Sequence, residues 1–202
     1  DIGTSAIKVV EIKKKGGKAM LETYGAISLG PYADTDMGRV TNLSEEKIAE
    51  ALKEVLKQSS AMTKSAVVAI PVQSSLIFNI ALPPRVNPNE MDQVIRTEAR
   101  KYIPVPMDEV SLDYFVLPEK EPSFEEANNP DHVDGEKHTE VLSVAIQNEA
   151  VNRIRKITTE ADVESSEMEV EIFSSIRANF EHELSPVLLV DFGASRTKLS
   201  LI

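Results

Sequence analysis

Apolar and polar residues mix in short runs along Ala6–Ile12 and again over Leu21–Leu29. Both read as strands, joined by the turn KKKGGK at 13–18. The glycine pair supplies the positive φ of a tight hairpin. Its lysines read as a solvated tip rather than a contact for acidic lipid or a partner. From residue 44 a helical period begins: Ile48, Leu52, Val55 and Leu56 share one helical face, and Ser44 is the expected N-cap. The run AVVAI at 66–70, ended by Pro71, predicts a short buried strand. Strand, strand, helix, strand in that order predicts half of an α/β sheet.

A second pattern begins at residue 75. Leu76–Leu82 reads as a strand closed by Pro83 and Pro84. Asn87, Pro88 and Glu90 form the signature of a capped helix, with Met91, Val94, Ile95 and Ala99 as its buried stripe and Pro104 and Pro106 as its stop. Strands are expected at Val110–Leu117 and Glu140–Gln147. Asn148 then caps a helix carrying Val151, Ile154 and Ile157. A strand over Val163–Glu171 and a helix over Ile172–Phe180 follow. The segment 75–171 therefore reads as an inserted β-α-β-β-α-β module. The expected organisation is a first half-lobe at 1–74, the insert at 75–171, and a return helix with the start of a second lobe at 172–202.

Charge and composition narrow the function classes. Lys and Arg total 22 against 33 Asp and Glu, a net charge of −11, which argues against a nucleic-acid binder that works through phosphate contacts. There is no cysteine, so disulfides, thiol catalysis and cysteine-ligated metals are excluded. Residues 119–139 hold seven acids, two lysines, prolines and asparagines, the composition of an exposed flexible loop. His132 and His138 have no metal-site spacing, and His182 reads as a helix-end residue. No catalytic Ser-His-Asp or paired-carboxylate set stands out. The chain opens on Asp1 with a strand pattern already under way, and the expectation is a piece of a longer protein, cut at both ends.

The two ends repeat each other. DIGTSAIKVVEI at 1–12 and DFGASRTKLSLI at 191–202 align without gaps, sharing Asp1/Asp191, Gly3/Gly193, Ser5/Ser195, Lys8/Lys198 and Ile12/Ile202. Each copy reads as strand, glycine turn, strand. Glycine lets backbone N–H groups approach a ligand, Thr4, Ser5 and Ser195 add hydroxyls, and such a turn suits phosphate. A carboxylate beside it suits hydrated Mg²⁺. Lys8 and Lys198 read as solvent-facing residues of the strands that follow.

Paired D-x-G hairpins resemble the superfamily of actin, the heat-shock ATPases and the sugar kinases, whose ribonuclease H-like lobes enclose a nucleotide. The insert resembles subdomain 1C, an SHS2 domain, of the FtsA branch. Within that branch RTEARKYIPVPMDEVSLDYFVLPE at 96–119 and EMEVEIFSSIRAN at 167–179 are similar to the PilM family of type IV pilus assembly. The resemblance implies an actin-like α/β fold and ATP with Mg²⁺ as cofactors of the intact protein, the fragment itself being expected to bind poorly. It implies phosphate contacts from Asp1, Gly3, Thr4, Ser5, Asp191, Gly193, Ala194 and Ser195, with Asp1 and Asp191 near Mg²⁺ through water. It further implies a scaffold at the cytoplasmic face of the inner membrane, at most a weak ATPase. Its expected partners are the short N-terminal tail of a PilN-like inner-membrane protein, other pilus-assembly proteins and further copies of itself. Arg96, Arg100 and Tyr102, flanked by Pro104 and Pro106, are the candidate tail contacts, in a groove between the first half-lobe and the insert. An FtsA-type division protein and a small-molecule kinase are the alternatives.

Overall fold

The computed structural model describes residues 1–83, 86–118, 138–180 and 185–202. The acidic stretch expected to be a loop lies outside them over 119–137, with His132, as does His182.

Strands β1 (Ala6–Lys15) and β2 (Lys18–Ser28) form an antiparallel hairpin. Gly16 and Gly17 have φ of 58° and 80°, the left-handed values a two-residue turn requires. Helix α1 (Glu45–Gln58) buries Ile48, Leu52 and Val55. Ser44 is at its N-cap, but its side chain makes no capping bond. Its hydroxyl serves the Glu46 carboxylate instead. Strand β3 (Ser65–Ile70) follows.

The chain divides into two units, Asp1–Val72 with Ala150–Ile202, and Gln73–Glu149. In the second unit, β4 (Ser75–Leu82), helix α2 (Met91–Ala99), β5 (Val110–Val116) and β6 (Thr139–Gln147) give an antiparallel sheet ordered β4-β6-β5. The expected stripe of α2 is packed as predicted: Ile95 and Ala99 join Ile80, Leu82, Val141 and Ala145 in one core. The start of α2 differs. Asn87 Oδ1 accepts from the Asn89 N–H at 3.1 Å and its carbonyl from the Glu90 N–H at 2.8 Å. This Asx turn competes with helix initiation, so Pro88 lies in the turn and the helix opens at Met91.

Helix α3 (Asn148–Glu160) and strand β7 (Glu164–Val170) return to the first unit. Here the expected insert, carried to residue 171, differs from the observed division. β7 pairs in parallel with β3, and Ile157 of α3 packs with Ile7, Leu29, Leu52 and Val55 in the first core. Amphipathic spacing in α3 shows that it buries a face, not which sheet receives it. Helix α4 (Glu171–Asn179) leads toward the closing hairpin of β8 (Leu188–Phe192) and β9 (Thr197–Leu201). Among the described residues no helix is long and apolar enough to cross a membrane.

Candidate functional site

The sequence repeat is a structural repeat. In the first copy the Lys8 N–H donates to the Asp1 carbonyl at 2.9 Å and the Gly3 N–H to the Ala6 carbonyl at 3.0 Å. In the second, Asp191 stands opposite Lys198 and the Gly193 N–H donates to the Arg196 carbonyl at 2.9 Å. The glycines are needed by the turn itself. A Cβ would meet the Ala6 carbonyl oxygen at 3.0 Å in one copy and that of Arg196 at 2.9 Å in the other. Their amides are spent inside the turns, so the amides left for an anion are those of Thr4, Ser5, Ala194 and Ser195.

The fold brings the two copies together. Thr4 Oγ1 donates to Ser195 Oγ at 3.3 Å across 191 positions of sequence. Thr4 is braced from behind, its carbonyl accepting from the N–H and the hydroxyl of Thr41 at 2.8 and 3.0 Å.

Lys8 is solvent-facing as expected, and Lys198 is not. Lys8 Nζ lies 3.5 Å from Asp1 Oδ2. Lys198 Nζ lies 3.0 Å from Asp191 Oδ2 and 2.8 Å from Glu171 Oε1, with a quarter of its side chain exposed. Burial disfavours its charge, but the hydrogen bonds and charges of Glu171 and Asp191 outweigh burial and raise its pKa. Glu171, the first residue of α4, also accepts from the Val72 N–H at 2.9 Å. The sequence reading missed Glu171. The only hint was the lysine repeated at one position of both copies, and its acidic partners come from different parts of the chain.

The donor set fits phosphate with hydrated Mg²⁺: four amides, three hydroxyls and two carboxylates. Among the described residues no group of three or more acidic or histidine side chains could cage a metal alone. The hydroxyls of Thr4 and Ser195 lie 3.3 Å apart, too close to admit a phosphate between them.

The other candidate group lies in the second unit. Arg96, Arg100, Ile103, Val105, Pro106 and Met107 line one cavity of about 630 Å³. Arg96 Nε donates to Asp92 Oδ2 at 2.8 Å. Tyr102 stands apart from that lining, stacked on Phe78 with ring centroids 5.0 Å apart.

A family model described as type IV pilus assembly protein PilM matches residues 1–202. The chain belongs to the PilM family. Among solved structures it resembles one described as a PilM-PilN type IV pilus biogenesis complex, with a TM-score of 0.74 and 24% identity. The match covers 100% of this chain and 56% of that one, so this chain spans about half the length of its structural relative. Identity at that level speaks for the fold alone, and it bears out the α/β, actin-like architecture expected for a PilM-family chain.

Proposed function

We propose that this chain is part of a cytoplasmic, actin-like scaffold of type IV pilus assembly that holds the N-terminal tail of a PilN-like inner-membrane protein. Family membership over the whole chain carries the reading. The resembled PilM structure was solved as a complex with PilN, and the cavity beside α2 offers what a short extended tail needs: an apolar wall with a few polar anchors. Arg100 supplies a cationic edge there, and Ile103, Val105 and Met107 supply the apolar wall. In the longer protein the paired hairpins hold the phosphates of Mg-ATP, and nucleotide serves regulation more than turnover.

The test is calorimetry with a peptide copying the N-terminal tail of the PilN-like partner and a scrambled control. Binding at micromolar affinity or tighter is expected without ATP, and Arg100→Ala should weaken it about tenfold, or roughly 1.4 kcal/mol. Equal heats from the true and scrambled peptides on a folded chain would remove this assignment.

A further inference from the structure

The composition of the KKKGGK turn leaves its lysines solvated, and the fold adds where they stand. β1 and β2 pair from Ala6 with Ser28 out to Lys15 with Lys18. The hairpin is braced part-way along. The Glu11 carboxylate accepts from the Met62 and Thr63 N–H groups at 3.1 and 3.0 Å, and the Thr23 hydroxyl donates to the Ser59 carbonyl at 2.6 Å. Past that brace every residue over 12–22 is exposed. Among the described residues, residues 13–22 hydrogen-bond only within the hairpin. The end of the hairpin is therefore a free arm. At about 3.4 Å per residue, Lys15 stands roughly 13 Å beyond Glu11.

The arm concentrates positive charge. It carries Lys13, Lys14, Lys15 and Lys18, and the acids nearest in sequence are Glu22 and Glu11, the latter spent on the brace. Among the described residues none of the four lysines forms a salt bridge. The register sets Lys15 opposite Lys18 and Lys13 opposite Met20. Alternate residues share a face, so these four side chains stand together. Like charges directly opposite each other destabilise a strand pair, and an anion laid across them relieves the repulsion. Apolar side chains flank the cations: Met20 is 49% exposed and Leu21 60%.

The chain carries a net charge of −11, so an anionic surface repels most of it. The arm's reach overcomes this. Charges are screened over about 8 Å at physiological ionic strength, less than the length of the arm. Its lysines therefore meet an anionic surface while the acids behind the brace are screened from it. A protruding tip forms no groove of the kind that tracks a nucleic-acid strand. A plane of lipid headgroups needs no groove, and it accepts Met20 and Leu21 at its acyl boundary beside the cations.

We propose that the lysine tip of the β1–β2 hairpin contacts the anionic headgroups of a membrane surface. Each lysine near such a surface contributes roughly a fivefold factor, so the contact is weak, reversible and sensitive to salt. Tail capture is not needed for it, although a scaffold making both contacts binds more tightly, because linked contacts multiply.

The experiment measures, by co-sedimentation, partition of the chain onto vesicles of phosphatidylglycerol mixed with phosphatidylcholine and onto vesicles of phosphatidylcholine alone. Lys15→Gln with Lys18→Gln is compared with Lys53→Gln with Lys57→Gln, which removes the same charge from exposed positions of α1. On anionic vesicles the tip variant should lose about tenfold or more and the helix variant about twofold or less. Lys15→Arg with Lys18→Arg should partition as the wild type does. Equal loss in the tip and helix variants overturns the proposal, as does equal partition onto neutral vesicles or no binding to anionic vesicles at low salt. Displacement by inorganic phosphate beyond that by chloride of equal ionic strength would assign the tip to a free anion. Tighter binding to duplex DNA than to anionic vesicles would assign it to nucleic acid. Either result overturns the proposal. The vesicles hold no tail peptide, so failure here leaves tail capture to its own test.

Discussion

Gly30 and Glu46 show how single residues carry the first unit. Gly30 is buried just after β2. A Cβ there would lie 2.0 Å from the Asp36 carbonyl oxygen and 2.7 Å from its carbon. These are backbone atoms of a loop closed by the Thr35 N–H on the Gly30 carbonyl at 3.0 Å, so relief requires moving the chain. Gly30→Ala is expected to destabilise by about 2 kcal/mol or more, read as a lower urea midpoint at unchanged slope; an unchanged midpoint would mean the loop yields freely. Glu46 sits in the first turn of α1, where its own N–H, then the Ser44 hydroxyl, then Lys156 hold its pKa at about 2 against an ordinary 4.5. A depressed carboxylate stabilises the folded state above its unfolded pKa, and that contribution fades as pH falls through the folded value. The stability gap between the wild type and Glu46→Gln should therefore be full above pH 4.5 and shrink from there toward pH 2. A gap that stays constant across that window would show that the carboxylate's charge contributes nothing.

At the scale of elements, the two hairpins were legible because their chemistry is local. An Asp, a Gly two residues on and a hydroxyl residue define the turn wherever it occurs. The Lys198–Glu171–Asp191 cluster was not legible, because Glu171 reaches it from α4 and only the tertiary fold joins them. The same limit applies to α2, where Asn87 carries both a cap and an Asx turn among its options, and the structure takes the turn. In the longer protein, Asp191→Ala should weaken Mg-ATP at least tenfold, about 1.4 kcal/mol, as read by titration with a fluorescent ATP analogue. The change removes the carboxylate proposed to lie near Mg²⁺ and leaves the Gly193 turn intact. Undiminished affinity would exclude the second hairpin from nucleotide binding.

Among the described residues of the whole molecule, two cores share no residue, one holding Ile157 and the other Ile95. Truncating either buried isoleucine to alanine costs about 2–5 kcal/mol. Ile95→Ala should speed amide exchange in β4, β5 and β6 first, and Ile157→Ala in β1, β3 and β7 first. Loss of protection everywhere at once in both variants would show a single cooperative unit. The mixed α/β class and nearly every element were legible from periodicity. The division between units was not, because the parallel pairing of β3 with β7 leaves no local mark on either strand. That pairing shapes the order in which the chain can fold. β3 leaves the ribosome long before β7, and at about 5–20 residues per second it waits on the order of five to twenty seconds for its partner. The intervening unit makes the wait useful. Its sheet sets Ser75 opposite Ile146, so once that sheet forms, the ends of a long loop are already neighbours. The open length between β3 and β7 falls roughly fourfold, and two halvings lower the closure entropy by about 1.2 kcal/mol. The inserted sheet thus acts during synthesis as a clasp, gathering distant chain so that the parallel pair can close late and quickly.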